Sequence, residues 1–357
     1  MRNGCAGGGA AFPAAARSAP SGVAQATAAP RAADGGRAYD RGVALLDRLP
    51  DVSPTVLRRL AVANLVAQVG IMVTGATVRV TGSGLGCPTF PECFPGSMIP
   101  VSHADIAPLH QWVEFGNRLL IFVLLAIAAL LLLAALGQRP RRRRLTVLAA
   151  VMPAGIVAQA LVGGFVVLTQ LAWGGVSLHF MVSAVLVWLS AALVQATGEA
   201  DVPGRSLVPG AIRGLVATSA VALSALLVVG TLVTAAGPHA GDPGTERLPT
   251  GVEAMAQLHA ELLFGYLGLL VGLGFALRAT GAPARVERRY RVLVAVVLGQ
   301  GALGGIQYAL AVPEVLVVLH VLGAGLVTAA AGALWFALSE RVAVPADAPV
   351  AAHSVAA

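Results

Sequence analysis

The chain has 357 residues, of which 57% are hydrophobic and only 11% charged, with a formal net charge of +7. A soluble domain carries roughly a quarter charged residues, so too few charges are present to cover a water-soluble fold of this size, and lipid must solvate most of the chain. The positive excess does not point to a nucleic-acid partner: the arginines lie between apolar runs rather than on one basic face, as topology-setting charges do.

Residues 1–54 are rich in Ala, Gly, Pro, Ser and Arg and lack the apolar core of a signal peptide; they read as a disordered cytoplasmic tail with a short helix near 43–49. Apolar runs follow at about 57–78, 109–136, 146–168, 173–196, 211–236, 253–277, 290–311 and 315–338. Each is near the ~20 residues that span a bilayer. The expected fold class is an all-α polytopic membrane protein of eight transmembrane helices, arranged as two pseudo-symmetric four-helix bundles. The N-terminal half is residues 55–197, the C-terminal half 198–340, and residues 341–357 form a second cytoplasmic tail.

The first run is preceded by Arg58 and Arg59. Arg139 and Arg141 to Arg144 follow the second run, Arg205 and Arg213 the fourth, Arg278, Arg285, Arg288, Arg289 and Arg291 the sixth, and Arg341 the last. All fall on one side, which the positive-inside rule assigns to the cytoplasm, with both termini there and the chain in the plasma membrane. The loop of residues 79–108 is then external. Cys87 and Cys93, with five residues between them, can form a disulfide in an oxidising compartment. A metal site is the competing reading, with few donors nearby.

The chain contains an internal repeat. Gln159, Gly163, Gly164, Leu178 and His179 recur as Gln300, Gly304, Gly305, Leu319 and His320, every member displaced by 141 positions. A looser echo joins Thr81–Gly84 to Thr234–Gly237. A four-helix unit begins and ends on one side of the membrane, so the copies share one topology about an axis near the membrane normal. The glycines let backbones approach or make room for a flat ligand.

His179, His259 and His320 each fall within about the first two turns of a helix that enters from the outside, a descent of about 10 Å. Ionisable groups inside a membrane are costly and mark function. Imidazoles at matched depth on facing helices suit haem iron with two axial nitrogens; interhelical hydrogen bonds or a proton relay are the other readings. The second helix is long and begins with polar residues, among them His110, Glu114 and Asn117 on one face. Glu114 is a candidate to donate or accept a proton or to position a substrate. Arg118 pairs with it at i+4 or meets a haem propionate.

These residues are similar to those of a known family. The stretch from Gly75 to Pro88, with Cys93 following, resembles the first outer loop of haem A synthases, and Gly237 to Asp242 resembles their third. The resemblance covers about residues 55–340. It implies oxidation of a methyl group of haem O to the formyl group of haem A by successive hydroxylations. It implies a haem b held by His259 and His320, a substrate haem held by His179, an essential glutamate at Glu114, and a disulfide between Cys87 and Cys93. It further implies supply by haem O synthase, delivery to terminal cytochrome oxidase and its assembly factors, and an electron donor of unspecified kind. At the family's fourth histidine position this chain has Asn117. The substrate iron is then expected to have His179 alone, with Asn117 free to hydrogen-bond a water or an iron-bound oxygen species. His110, about 10 Å further up the same face, serves only if the haem sits higher.

Overall fold

A computed structural model describes residues 49–342. The helix expected near 43–49 and most of both tails lie outside this range. Among the described residues are eight helices long and apolar enough to cross a membrane: α1 (Pro54–Val80), α2 (Pro108–Gly137), α3 (Arg143–Leu168), α4 (Trp173–Ala196), α5 (Gly210–Ala236), α6 (Val252–Ala279), α7 (Ala284–Ala309) and α8 (Glu314–Ala337). The chain is a multi-pass membrane protein. In lipid every backbone N–H and C=O needs an internal partner, which a continuous helix supplies. Proline marks the starts: Pro54 and Pro108 open α1 and α2, while Pro209, Pro283 and Pro313 cap α5, α7 and α8. A missing N–H costs nothing there, and the fixed φ suits the first turn.

Several helices begin ahead of expectation, most clearly two that carry arginines. α7 begins at Ala284, six residues ahead of the expected 290, so Arg285, Arg288, Arg289 and Arg291 lie on its first turns rather than in a loop. α3 likewise takes in Arg143 and Arg144. Apolarity reports only the part of a helix inside hydrocarbon; beyond it the helix continues while long arginine side chains reach out to water. α2, with 30 residues, is about 45 Å long against a hydrocarbon layer of about 30 Å, so its polar first turns stand at or above the lipid boundary.

The helices pack unevenly. In the N-terminal half α1, α2, α3 and α4 form a closed ring, each packed on its two neighbours. In the C-terminal half α5–α6 and α7–α8 are tight pairs, while α6 touches α7, and α5 touches α8, only sparsely. Each half has its own buried core, one around Leu131, Leu145 and Met152, the other around Tyr266, Leu270 and Leu293. The halves meet where α8 packs on both α1 and α4. Small residues permit that approach: a Cβ on Gly325 would stand 2.9 Å from Val69 Cγ1, and one on Gly332 would stand 3.3 Å from Ala191 Cβ.

The repeat of 141 positions extends into backbone geometry. Gln170 and Leu171, in the turn after α3, have φ of 53° and 59°; their counterparts Ala311 and Val312, after α7, have 58° and 63°. None is glycine, and a β-branched valine in this left-handed region is an outlier. The looser echo is not a structural equivalence: Thr81 caps α1, whereas Thr234 lies inside α5.

The halves are joined at both ends. On the face carrying the cysteine loop, Gly84 N donates to Gly241 O at 2.8 Å, and Arg79, at the end of α1, donates to His239 O at 2.5 Å and Thr234 O at 3.2 Å. On the arginine-rich face, Gln195 Nε2 donates to Phe336 O at 2.5 Å and Ala200 N to Arg341 O at 2.9 Å. A two-residue antiparallel ladder, β1 (Arg205–Ser206) with β2 (Ser339–Glu340), adds to this. Segments of two residues carry no periodicity, so an all-α expectation omits them.

Candidate functional site

His259 on α6 and His320 on α8 bring their rings to a centroid separation of 6.4 Å with an interplanar angle of 56°. α6 and α8 occupy opposite corners of the C-terminal half, so the space between them is the bundle interior. Two imidazole–metal bonds of about 2 Å, plus about 1.1 Å from each nitrogen to its ring centre, give a centroid separation of about 6.2 Å if one metal were shared by both rings. The observed spacing matches.

Each candidate histidine rests on a glycine of a neighbouring helix. A Cβ on Gly163 would stand 3.3 Å from His179 Cε1, one on Gly230 3.0 Å from His259 Cε1, and one on Gly304 2.9 Å from His320 Cε1. All three rings are half-buried, with Nδ1 enclosed and lacking a hydrogen-bond partner. With Nδ1 enclosed and Cε1 packed on glycine, the edge left open to a ligand is the one carrying Nε2. The preceding helix fixes the backbone in both halves alike: Gln159 Nε2 donates to His179 O at 3.1 Å, and Gln300 Nε2 donates to His320 O at 2.8 Å. Enclosed imidazoles, glycine clearance and the 6.4 Å spacing together fit a haem.

The N-terminal half departs from this pattern at one corner. Gly75 and Gly230 each lie seven residues before the glycine that follows their helix, Gly82 and Gly237. Gly230 is filled by the His259 ring, whereas a Cβ on Gly75 would meet nothing within 4 Å. Asn117, which stands where a second histidine is expected, is shorter, and its Oδ1 is buried with no partner.

Glu114 is buried and engaged on both carboxylate oxygens. Oε2 accepts from Cys87 N at 2.9 Å, and Oε1 accepts from Arg118 Nε at 3.1 Å and Nη2 at 2.5 Å. Arg118 spends its remaining donors on loop carbonyls: Nη1 on Thr89 at 2.9 Å and Glu92 at 3.3 Å, and Nη2 on Cys87 at 2.7 Å. Its guanidinium donors all go to Glu114 and the loop, so the i+4 pair is formed. Desolvated as it is, this pair is unlike a wet surface pair of negligible worth. Cys87 and Cys93 are joined by a disulfide and fully buried. The same loop inserts Phe90 against α3, where a Cβ on Gly164 would stand 2.4 Å from the ring.

His110 is engaged by the cysteine loop. Its Nδ1 is 3.0 Å from Ser83 Oγ, and its backbone carbonyl closes on Gly86, where a Cβ would sit 2.2 Å from it. The structure thus unites His259 with His320, and Glu114 with Arg118 and the cysteine loop, and gives His110 a loop-anchoring contact. Sequence reasoning missed Gly230, which falls outside the 141-residue repeat, and the bridging of the halves by Arg79. The signal for Gly230 was its spacing from Gly237, equal to that of Gly75 from Gly82.

Residues 58–332 match the COX15-CtaA family, described as cytochrome oxidase assembly protein. A protein named Heme A synthase from Geobacillus kaustophilus is 32% identical over 104 residues, covering 28% of this chain and 30% of the relative. One of the same name from Bacillus cereus is 32% identical over 112 residues, covering 30% of this chain and 33% of the relative. A third, from Geobacillus thermodenitrificans, is 29% identical over 104 residues. The aligned part thus spans about a third of these curated relatives' length.

Proposed function

Because the chain belongs to the COX15-CtaA family of cytochrome oxidase assembly proteins, we propose that it is a haem A synthase: a membrane oxidoreductase that converts a methyl group of haem O to the formyl group of haem A. The observation that carries this reading is the contrast between the halves. One has two imidazoles 6.4 Å apart, suited to holding a haem permanently. The other has a single enclosed imidazole, His179, and a buried asparagine, Asn117, whose Oδ1 has no partner, a set suited to a haem that must react and leave.

In this reading His259 and His320 hold haem b, which when bound supplies one-electron iron chemistry. His179 would hold the substrate haem O. The Asn117 amide accepts a hydrogen bond from a water or reactant at the open face. Glu114, enclosed by loop and helix, is the proton-handling residue, and Arg118 is its positioning residue. His110 holds the rim of the pocket. Haem O comes from haem O synthase in the same bilayer and haem A passes to terminal oxidase assembly; methyl to formyl is a four-electron oxidation, balanced either by an external electron acceptor with water as the oxygen source or by dioxygen with an external electron donor. The arginine-rich face and both termini lie in the cytoplasm, with the chain in the plasma membrane.

The test is to express the protein with and without a haem O supply and to identify the extracted haems by chromatography and mass. Haem A formed only with both protein and haem O supports the enzyme. Haem b retained with no conversion would make it an electron-carrying cytochrome. Glu114→Gln is expected to keep the haem b spectrum and slow conversion about 100-fold or more, the scale of general acid–base catalysis. Unimpaired conversion would leave Glu114 only its loop-anchoring contact.

A further inference from the structure

The arginine-rich face holds a cavity of about 640 Å³ that the haem sites do not use. It opens where α3, α4 and the end of α8 converge, at the seam between the halves. Its rim is basic, with Arg143, Arg144 and Arg341; its walls are apolar and include Leu148 and Leu189, one to two turns inside α3 and α4, and Phe336 in the last turn of α8.

The rim is built rather than incidental. Arg144 is paired with Glu199, and Arg341 Nη1 donates to Val202 O at 2.7 Å while its Nε lies 3.9 Å from Glu199. Asp201, the acidic residue of the lining, is spent on backbone: it accepts from Arg143 N at 2.5 Å and Arg144 N at 3.3 Å, capping α3, whose own N-cap residue offers no side-chain bond. Three guanidinium groups therefore face two carboxylates, one already committed to N–H groups. The Arg143 side chain is exposed and, among the described residues, carries no hydrogen bond or ion pair.

We propose that this cavity binds an anionic phospholipid of the surrounding bilayer, the phosphate on Arg143 and Arg341 and an acyl chain along Leu148, Leu189 and Phe336. The order of groups along the helix axis, charge at the helix ends and hydrocarbon beneath, is that of a lipid in its own leaflet. A free phosphate would use the rim and leave the apolar walls wet. Basic pockets between membrane helices recognise anionic headgroups in this way, each arginine contributing about fivefold to retention. The proposal does not depend on the enzymatic reading.

The full chain is purified in detergent, loaded with an equimolar mixture of phosphatidylglycerol and phosphatidylcholine of matched chains, and examined by native mass spectrometry. Retention of phosphatidylglycerol over phosphatidylcholine is expected. Arg143→Gln, which breaks no observed contact, should lower that retention about fivefold and Arg143→Gln/Arg341→Gln further. Arg288→Gln/Arg291→Gln, on exposed positions of α7 outside the cavity, should not change it. Equal retention of the two lipids, equal loss in the α7 control, or displacement of phosphatidylglycerol by millimolar inorganic phosphate would each overturn the proposal. The last would make the rim an ion site.

Discussion

A glycine beneath an imidazole leaves little room for error. At Gly304 a single methyl would stand 2.9 Å from His320 Cε1, while at the adjacent Gly305 it would meet nothing within 4 Å. Gly304→Ala is therefore expected to displace the His320 ring, lowering haem b stoichiometry severalfold and weakening the low-spin spectrum, while Gly305→Ala leaves both intact. Equal effects at the two glycines would remove the cradle argument. The asparagine corner makes the converse prediction. The family resemblance puts a histidine at position 117, where the shorter Asn117 leaves its Oδ1 without a partner, so Asn117→His is expected to give the N-terminal half a second imidazole ligand. An additional low-spin electron paramagnetic resonance signal should appear, haem O should be retained, and turnover should fall. A variant that folds and shows no added signal would place Asn117 away from the iron.

At the scale of the element, the cysteine loop is held three ways: by the disulfide, by Phe90 against Gly164, and by the Glu114–Arg118 pair. A closed loop of seven residues removes about 2 kcal/mol of unfolded-state entropy, so Cys87→Ser/Cys93→Ser should lower stability to denaturant by about that amount. Because Arg118 still holds the loop carbonyls, haem b binding should survive. Loss of haem b in the double variant would show that the loop governs the distant half as well. The helices themselves were legible, because a bilayer demands long apolar runs and the chain supplies little else. The start of α7 was not, because arginine-rich turns outside hydrocarbon carry no apolar signal. The interaction of Arg118 with four separate groups was not legible either: i+4 spacing announces Glu114, but nothing in sequence announces the carbonyls of Cys87, Thr89 and Glu92.

For the whole molecule, the two halves depend on close approach at α8. Gly325→Val would press branched carbons onto Val69, and overpacking of this kind costs about 1–3 kcal/mol; a lower melting temperature with both haem sites affected together is expected. If only one site responded, the seam would not be shared. The repeat was legible because five residues recur at one displacement. The unequal packing of the two halves was not, since it arises from contacts between helices distant in sequence rather than from any motif.

The junctions at both ends of the molecule bear on how charge could move through it. Arg79 and Gly84 hold one end, and Gln195, Ala200 and the β1–β2 ladder hold the other. Hydrogen bonds at both ends oppose rocking of one half against the other and favour a fixed gap between their interiors. If the proposed division into a resident and a reacting haem holds, electron transfer between them would cross a distance set by the fold. Its rate would be set by the difference in redox potential and by reorganisation around the two irons, with no conformational clock.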